Sequence, residues 1–316
     1  MQKVTIVIPN YNGKRLLSNC LKTLERQTEK NFKVLVIDNG STDASVELTS
    51  EILDLEMVAL QENRGFCGAV NLGIQMTKTP FVILLNNDTE VEPDFVKALL
   101  DGIKKSGNIF SCGAQMIDFK NHNILDNAGD LYTAMGWAYA RGKGKECAKF
   151  EKPVKVFSSC GGAVIYRMSM LKETGMLDEA HFAYLEDVDL GYRARIYGYE
   201  NWYEPEAKVY HVGSATTGTR YNEKKVFLAA RNTIYVIYKN MPLLQLFLNL
   251  PFILAGMIVK TIFFAKKGFA TEYLRGIMQG IAGAGKNCKK VRFSIKNTGN
   301  YIRIQLELWC NIFRIM

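Results

Sequence analysis

The sequence predicts an α/β fold: a mainly parallel, doubly wound sheet followed by a helical, basic C-terminal region. Three observations carry this. Over the first hundred residues, short runs rich in Val, Ile and Leu alternate with segments of helical period, the pattern of repeated β-α-β units. Each run stops abruptly at polar residues, which lines amide and carboxylate side chains along one edge of the sheet. Near residue 240 the composition changes, dividing the 316 residues into a catalytic-sized body, 1–240, and a tail, 241–316.

The elements follow in order. Val4 to Ile8 is an apolar strand closed by the turn Pro9-Asn10-Tyr11-Asn12-Gly13. Leu17, Cys20, Leu21 and Leu24 recur at helical spacing, so 14–28 is read as an amphipathic helix. Phe32 to Ile37 is a second strand, and the polar run from Asp38 to Asp43 predicts a turn and then a helix over 43–52. A third strand is expected at 57–60 and a helix at 66–77. The continuous apolar run Pro80 to Leu85 is a strand buried on both faces, stopping at Asn86-Asn87-Asp88. Residues 93–105 read as a surface helix and 109–117 as a strand. Residues 118–154 show no clean period and are expected to form an irregular acceptor-side loop. Sheet-like sequence returns at 156–166, broken by Gly161-Gly162, and a short helix ends at Gly175. A helix runs from Glu186 to about Gly198, a strand spans about 202–210, and an amphipathic helix spans about 221–240.

Charge and cysteines narrow the function. Through Val259 there are 29 basic and 29 acidic residues; residues 260–316 hold 11 basic and two acidic, so the whole net charge of +9 lies in the tail. A neutral body with a basic tail points to an anionic surface touched by the tail, not to a nucleic acid gripped by the body. The seven cysteines are scattered without a CxxC pair, which argues against a disulfide framework or zinc site and for a reducing compartment. No signal-peptide pattern precedes the first strand, so a cytoplasmic body is expected.

The polar strand ends read as a nucleotide site. Asn10, Asp38, Asn63 with Arg64, and Asp88 follow the first four strands; amides and carboxylates hydrogen-bond a base or ribose, and a guanidinium faces a diphosphate. Neither GxGxxG nor GxxxxGK[ST] is present, so the phosphate charge must be met mainly by a metal and side chains. Asp88 suits a hard cation, although a strand-ending Asp equally serves as a turn or cap residue. A second acidic centre, Glu186, Asp187 and Asp189, begins a helix, where the dipole alone favours acids. Phe182 and Tyr184 beside it set these carboxylates against apolar surface, which raises their pKa and suits proton abstraction. His211, at a strand end, is either a hydrogen-bonded surface residue or a metal ligand.

The ordered segments VTIVIPNYNG (4–13), VLVIDNGSTD (34–43), ENRGFCGAVNLGI (62–74), LLNNDTEV (84–91), SCGGAVIYR (159–167), FAYLEDVDLGYRAR (182–195) and HVGSAT (211–216) resemble family 2 glycosyltransferases, especially rhamnosyltransferase-like members, over about residues 3–240. The resemblance implies a GT-A fold, a nucleotide-sugar donor, inversion at the anomeric carbon and Mg²⁺ or Mn²⁺ as cofactor. It implies that Pro9, Asn10 and Asp38 contact the nucleoside and that Asn63 and Arg64 lie near base and phosphates. Asn86-Asn87-Asp88 then occupies the DxD motif with Asp88 as the metal-binding acid. Asp187, paired with Glu186, matches the general base, and His211 matches a histidine that completes the metal site in some relatives. The first DxD acid is Asn86 here, a weaker metal ligand that still hydrogen-bonds a ribose hydroxyl. The QxxRW motif of processive synthases is absent, so addition of one or a few sugars is expected.

The tail carries 19 uncharged residues, Met241 to Val259, just long enough to span a bilayer. A single crossing would separate two parts that both belong on the cytoplasmic side, because basic segments stay there. Interfacial helices or a re-entrant hairpin on the cytoplasmic side of the cell membrane are therefore expected, with lysines drawn to anionic lipid and a glycan or lipid-linked glycan as acceptor. Two other functions compete. A sugar nucleotidyltransferase needs a Gly-rich basic loop after the first strand, where PNYNGKR has one Gly. A degenerate, non-catalytic nucleotide-binding or membrane scaffold is favoured by Asn86 and opposed by Asp88, Asp187 and His211.

Overall fold

A computed structural model describes residues 2–213 and 221–314; the last part of the HVGSAT segment, 214–216, lies outside them. The elements in chain order are β1 (Val4–Asn10), α1 (Lys14–Glu25), β2 (Phe32–Asp38), β3 (Leu55–Ala59), α2 (Gly65–Met76), β4 (Phe81–Leu85), β5 (Thr89–Val91), α3 (Phe95–Lys104) and β6 (Ile109–Asp118). They continue with β7 (Asn121–Asn127), β8 (Asp130–Tyr132), β9 (Ala138–Ala140), β10 (Val154–Val156), β11 (Ala163–Arg167), α4 (Met168–Thr174), α5 (Glu186–Ile196) and β12 (Glu200–His211). Four more helices, α6 (Glu223–Asn240), α7 (Leu243–Lys266), α8 (Ala270–Asn287) and α9 (Thr298–Arg314), complete the chain.

The main sheet has the order β10-β12-β6-β11-β4-β1-β2-β3. Strands β3, β2, β1 and β4 run parallel, as the alternation of strand and helix predicts. The other half is mixed: β11 lies antiparallel between β4 and β6, while β6 and β12 are parallel. Alternation of side chains builds two cores. Val4, Ile6, Ile8, Val34, Val36, Ile83 and Leu85 face α1 and α3, whereas Val7, Leu35, Ile37, Val82 and Leu84 face α2, α4 and α5. Burying each such side chain contributes about 1.5–3 kcal/mol, so both faces of β1, β2 and β4 are committed and only their ends remain for chemistry.

Two expectations are corrected. Residues 43–52 form only one 3₁₀ turn, Ser45–Glu47, because Asp43 and Ser50 hydrogen-bond nearby backbone N–H groups (Ser45 N–H at 3.2 Å, Leu53 N–H at 3.1 Å) and so compete with a helical ladder. Residues 118–154 are not an irregular loop: β7 pairs with β6, β8 pairs with β9, and β10 joins β12. β8, β9 and β10, of three residues each, are too short to show a period, and β7 (NHNILDN) is mostly polar and half exposed.

The last helices fold back on the body. Gly276 and Gly280 of α8 sit so close to α6 that a Cβ would come within 2.5 Å of the Phe227 carbonyl and 2.7 Å of Ile234 Cβ. α7 is reversed in polarity. Its buried positions are Gln245, Asn249, Ile253 and Gly256, while Leu243, Leu244, Phe247, Leu254, Ile258 and Val259 point outward. Asn249 and Gln305 of α9 exchange two amide hydrogen bonds, 2.9 and 2.7 Å, so these two buried amides satisfy each other.

Candidate active site

A cleft of about 1070 Å³ opens at the carboxyl ends of β1 and β4. One wall is made of strand ends. Asn10 donates to Asp38 Oδ1 (2.8 Å) and accepts from Asn87 Nδ2 (2.7 Å), so three strand ends are locked together. Gly13 is required beside this lock, since a Cβ there would lie 2.3 Å from Asn87 Nδ2. Asp38 is only 1% exposed and also accepts from the Ser41 N–H and hydroxyl, so it stands behind Asn10 and does not line the cleft. Arg64 likewise stands outside, half exposed and 3.5 Å from Glu179. Asn39 takes the inner place: it accepts from Arg64 N–H and donates to Asn63 Oδ1 and the Gly65 carbonyl, fixing the turn into α2.

Asp88 meets His211 because β5 pairs antiparallel with β12, setting His211 opposite Thr89. His211 Nε2 lies 3.3 Å from Asp88 Oδ1, and its Nδ1 is 2.8 Å from Asp126 Oδ2. Burial pulls His211 toward the neutral form, but Asp126 and Asp88 outweigh it and hold its pKa at about 9. Burial also works against an ionised Asp126, yet His211 and Lys143 bring it down to about 2. Asp126 fixes the ring so that Nε2 faces Asp88. A divalent cation taking its remaining ligands from water and phosphate oxygens fits between them once it displaces the Nε2 proton that His211 otherwise shares with Asp88. Among the described residues no cluster of three or more His, Cys, Asp or Glu side chains forms a complete cage.

The opposite wall is the segment before α5. Phe182, Tyr184 and Leu185 have φ of 63°, 73° and 65°, left-handed values that cost non-glycine residues about 1–3 kcal/mol each. Helix α6 holds them there. Arg231 donates to the carbonyls of Ala180 and His181, and Asn232 to those of His181, Ala183 and Tyr184 (2.8–3.0 Å). Gly65, at φ 74°, lets the segment close in: a Cβ there would meet the Phe182 ring at 2.5 Å. Neither Arg231 nor Asn232 carries a motif that marks this role.

The three acids of α5 divide. Asp189 turns inward, fully buried between Arg193 (3.0 Å), Lys239 (2.9 Å) and Asn240 (2.8 Å); despite burial these partners hold it well below the usual carboxylate range. Glu186 and Asp187 line the cleft. Asp187 Oδ2 accepts from Gly161 N–H (2.9 Å) and Oδ1 from Val188 N–H (2.8 Å). Burial raises both pKa values. Glu186, whose Oε2 has no partner among the described residues, rises to about 8 because the Asp187 charge adds to its burial. Asp187, with two amide donors, ionises first.

Pro9, Asn10, Asn63, Asn86, Asn87, Asp88, Glu186, Asp187 and His211 thus share one cleft. A sheet of this order with the cleft at its strand ends is the GT-A fold of glycosyltransferases. The profile of glycosyl transferase family 2 matches residues 5–175, and the chain belongs to that family. Glycosyltransferase GlyA of Streptococcus pneumoniae is 35% identical over 31% of this chain, which spans 14% of that protein's length. N-acetylglucosaminyl-diphospho-decaprenol L-rhamnosyltransferase of Mycobacterium tuberculosis is 26% identical over 72% of this chain and 84% of its own. A mannosyltransferase of Pyrobaculum calidifontis, solved with GDP-Man and Mn²⁺, shares the fold with a TM-score of 0.56 at 13% identity, over 91% of this chain and 88% of its own.

Proposed function

We propose that the protein transfers a sugar, with inversion, from a nucleotide-sugar donor to a hydroxyl of a glycan or lipid-linked glycan in cell-wall polysaccharide synthesis. The donor is dTDP-rhamnose or a UDP-sugar; the rhamnosyltransferase relative favours the first and directs the acceptor toward a lipid-linked glycan. One observation carries the reading: Asp88 and Asp187, 99 positions apart, line a single cleft from two unrelated elements.

The chain's own groups account for the chemistry. Asp187 accepts the proton of the acceptor hydroxyl as that oxygen bonds to the anomeric carbon from the face opposite the diphosphate. The bond from that carbon to the diphosphate breaks, and the diphosphate leaves with the electron pair. Asn86 and Asn87 supply amides to the donor, with Asn10 holding Asn87 in place, and Glu186, its pKa raised by burial and the Asp187 charge, donates a hydrogen bond to the acceptor. Mg²⁺ or Mn²⁺, when held by Asp88 and His211, offsets charge on the leaving diphosphate. The outward apolar face of α7 and the basic tail support a peripheral position on the cytoplasmic side of the membrane, where acceptor and protein meet.

Release of free nucleoside diphosphate from a panel of nucleotide-sugars, with and without EDTA, tests this. Metal-dependent release is expected. Nucleotide binding without release from any donor supports the scaffold function instead, and pyrophosphate release from a nucleoside triphosphate plus a sugar phosphate supports the nucleotidyltransferase.

A further inference from the structure

A second cavity of about 1170 Å³ lies between the start of α7, the segment before α9, and α9 itself. Its walls are Leu243, Leu244, Leu248, Phe293, Ile302 and Leu306, all exposed to solvent, with Lys290 and Arg292 on the same lining. Gln245, Tyr301 and Trp309 also belong to the lining.

An apolar groove bordered by two cations matches one chemistry: a hydrocarbon chain joined to an anionic head. The groove is continuous with the outward apolar face of α7. It also stands apart from the catalytic cleft. That cleft touches the start of α6, at residues 221–228, whereas the groove begins at Pro242, just past its end. The part of α6 beyond Leu228, 12 residues to Asn240, separates them by about 18 Å. The occupant is therefore distinct from the reacting sugar.

We infer that this groove binds one anionic phospholipid of the bilayer, an acyl chain lying between α7 and α9 and the phosphate facing Lys290 and Arg292. The inference rests on the membrane-surface reading above and adds a specific lipid site to it. Bound lipid would fix which side of the tail helices meets the bilayer.

The test uses the full chain and two probes. The first is dihexanoyl phosphatidylglycerol below its micelle concentration, compared with the matching phosphatidylcholine and read by tryptophan fluorescence. A saturable change is expected, at least ten-fold tighter for phosphatidylglycerol, absent in Trp309→Phe and weakened ten-fold or more in Lys290→Glu/Arg292→Glu. Leu306→Glu, at the exposed rim, blocks the chain without touching the cations and abolishes the response. The second probe is co-sedimentation with phosphatidylglycerol vesicles. Phe247→Glu/Ile258→Glu, outside the groove, reduces vesicle binding and leaves the monomer response intact. Vesicle binding with no monomer response overturns the groove and leaves the membrane reading standing. Failure with both probes overturns both, and equal responses to the two headgroups overturn the anionic site.

Discussion

Asp88 ends a stretch tied to a strand buried on both faces, whereas Asp187 follows a segment in which three of four residues are left-handed. The sheet positions the first wall of the cleft without outside help: Asn10, Asp38 and Asn87 are bonded to one another, and β5 carries His211 to Asp88 by strand register. The second wall is strained and depends on α6, whose Arg231 and Asn232 cap four carbonyls of the segment from 180 to 184. A sheet-borne group therefore answers to changes at itself, while a loop-borne group answers also to changes in the helix that caps its loop.

A large effect is expected on the sheet wall. Asp88→Ala should lower kcat/KM by about 10³-fold, since a charge that offsets the leaving group is worth several kcal/mol, and should weaken Mn²⁺ binding in parallel. Turnover indifferent to both this change and EDTA would remove the metal from the account. On the loop wall, Asn232→Ala should lower kcat by about 10–100-fold while donor affinity stays within about two-fold, because small displacements of a reacting group are expensive. Donor affinity falling as far as kcat would mean that α6 supports the whole cleft and the two walls are not separable. The smallest effect concerns Glu186. Its folded pKa of about 8 lies above the ordinary 4.5, so its contribution to stability is complete below about pH 4.5 and is lost as pH rises through 8. Glu186→Gln should remove that loss and raise Tm at pH 8.5 relative to the native chain, with little difference at pH 4.5. Parallel melting curves at the two pH values would show that Glu186 is not held neutral by its surroundings.

Much of the first wall was legible from sequence because strand ends announce themselves: an apolar run stops, and the polar residues after it must share one edge. That reasoning found Asn10, Asn63, Asn86, Asn87 and Asp88, and motif order added Glu186, Asp187 and His211. It could not tell which strand-end groups look outward. Asp38 turns toward Asn10 and Ser41, and Arg64 toward Glu179, through contacts set by loop geometry. Asp126 was invisible because its approach to His211 depends on an antiparallel pairing of β7 with two register shifts. Asn232 was invisible because its partners are backbone carbonyls, which leave no mark in sequence. In the tail, Gln245 and Asn249 are hidden within the uncharged run Met241 to Val259; folded, they are part of the inward stripe of a helix whose apolar face points out.

Asp187→Asn is the most direct test. Nucleotide-sugar binding by calorimetry and single-turnover transfer should be measured on the same preparation. Donor affinity is expected within about two-fold of the native chain, with transfer reduced by roughly 10²–10⁴-fold, the range of a lost general base. Transfer at the native rate with donor bound would contradict the assignment of Asp187 as the group that takes the acceptor's proton.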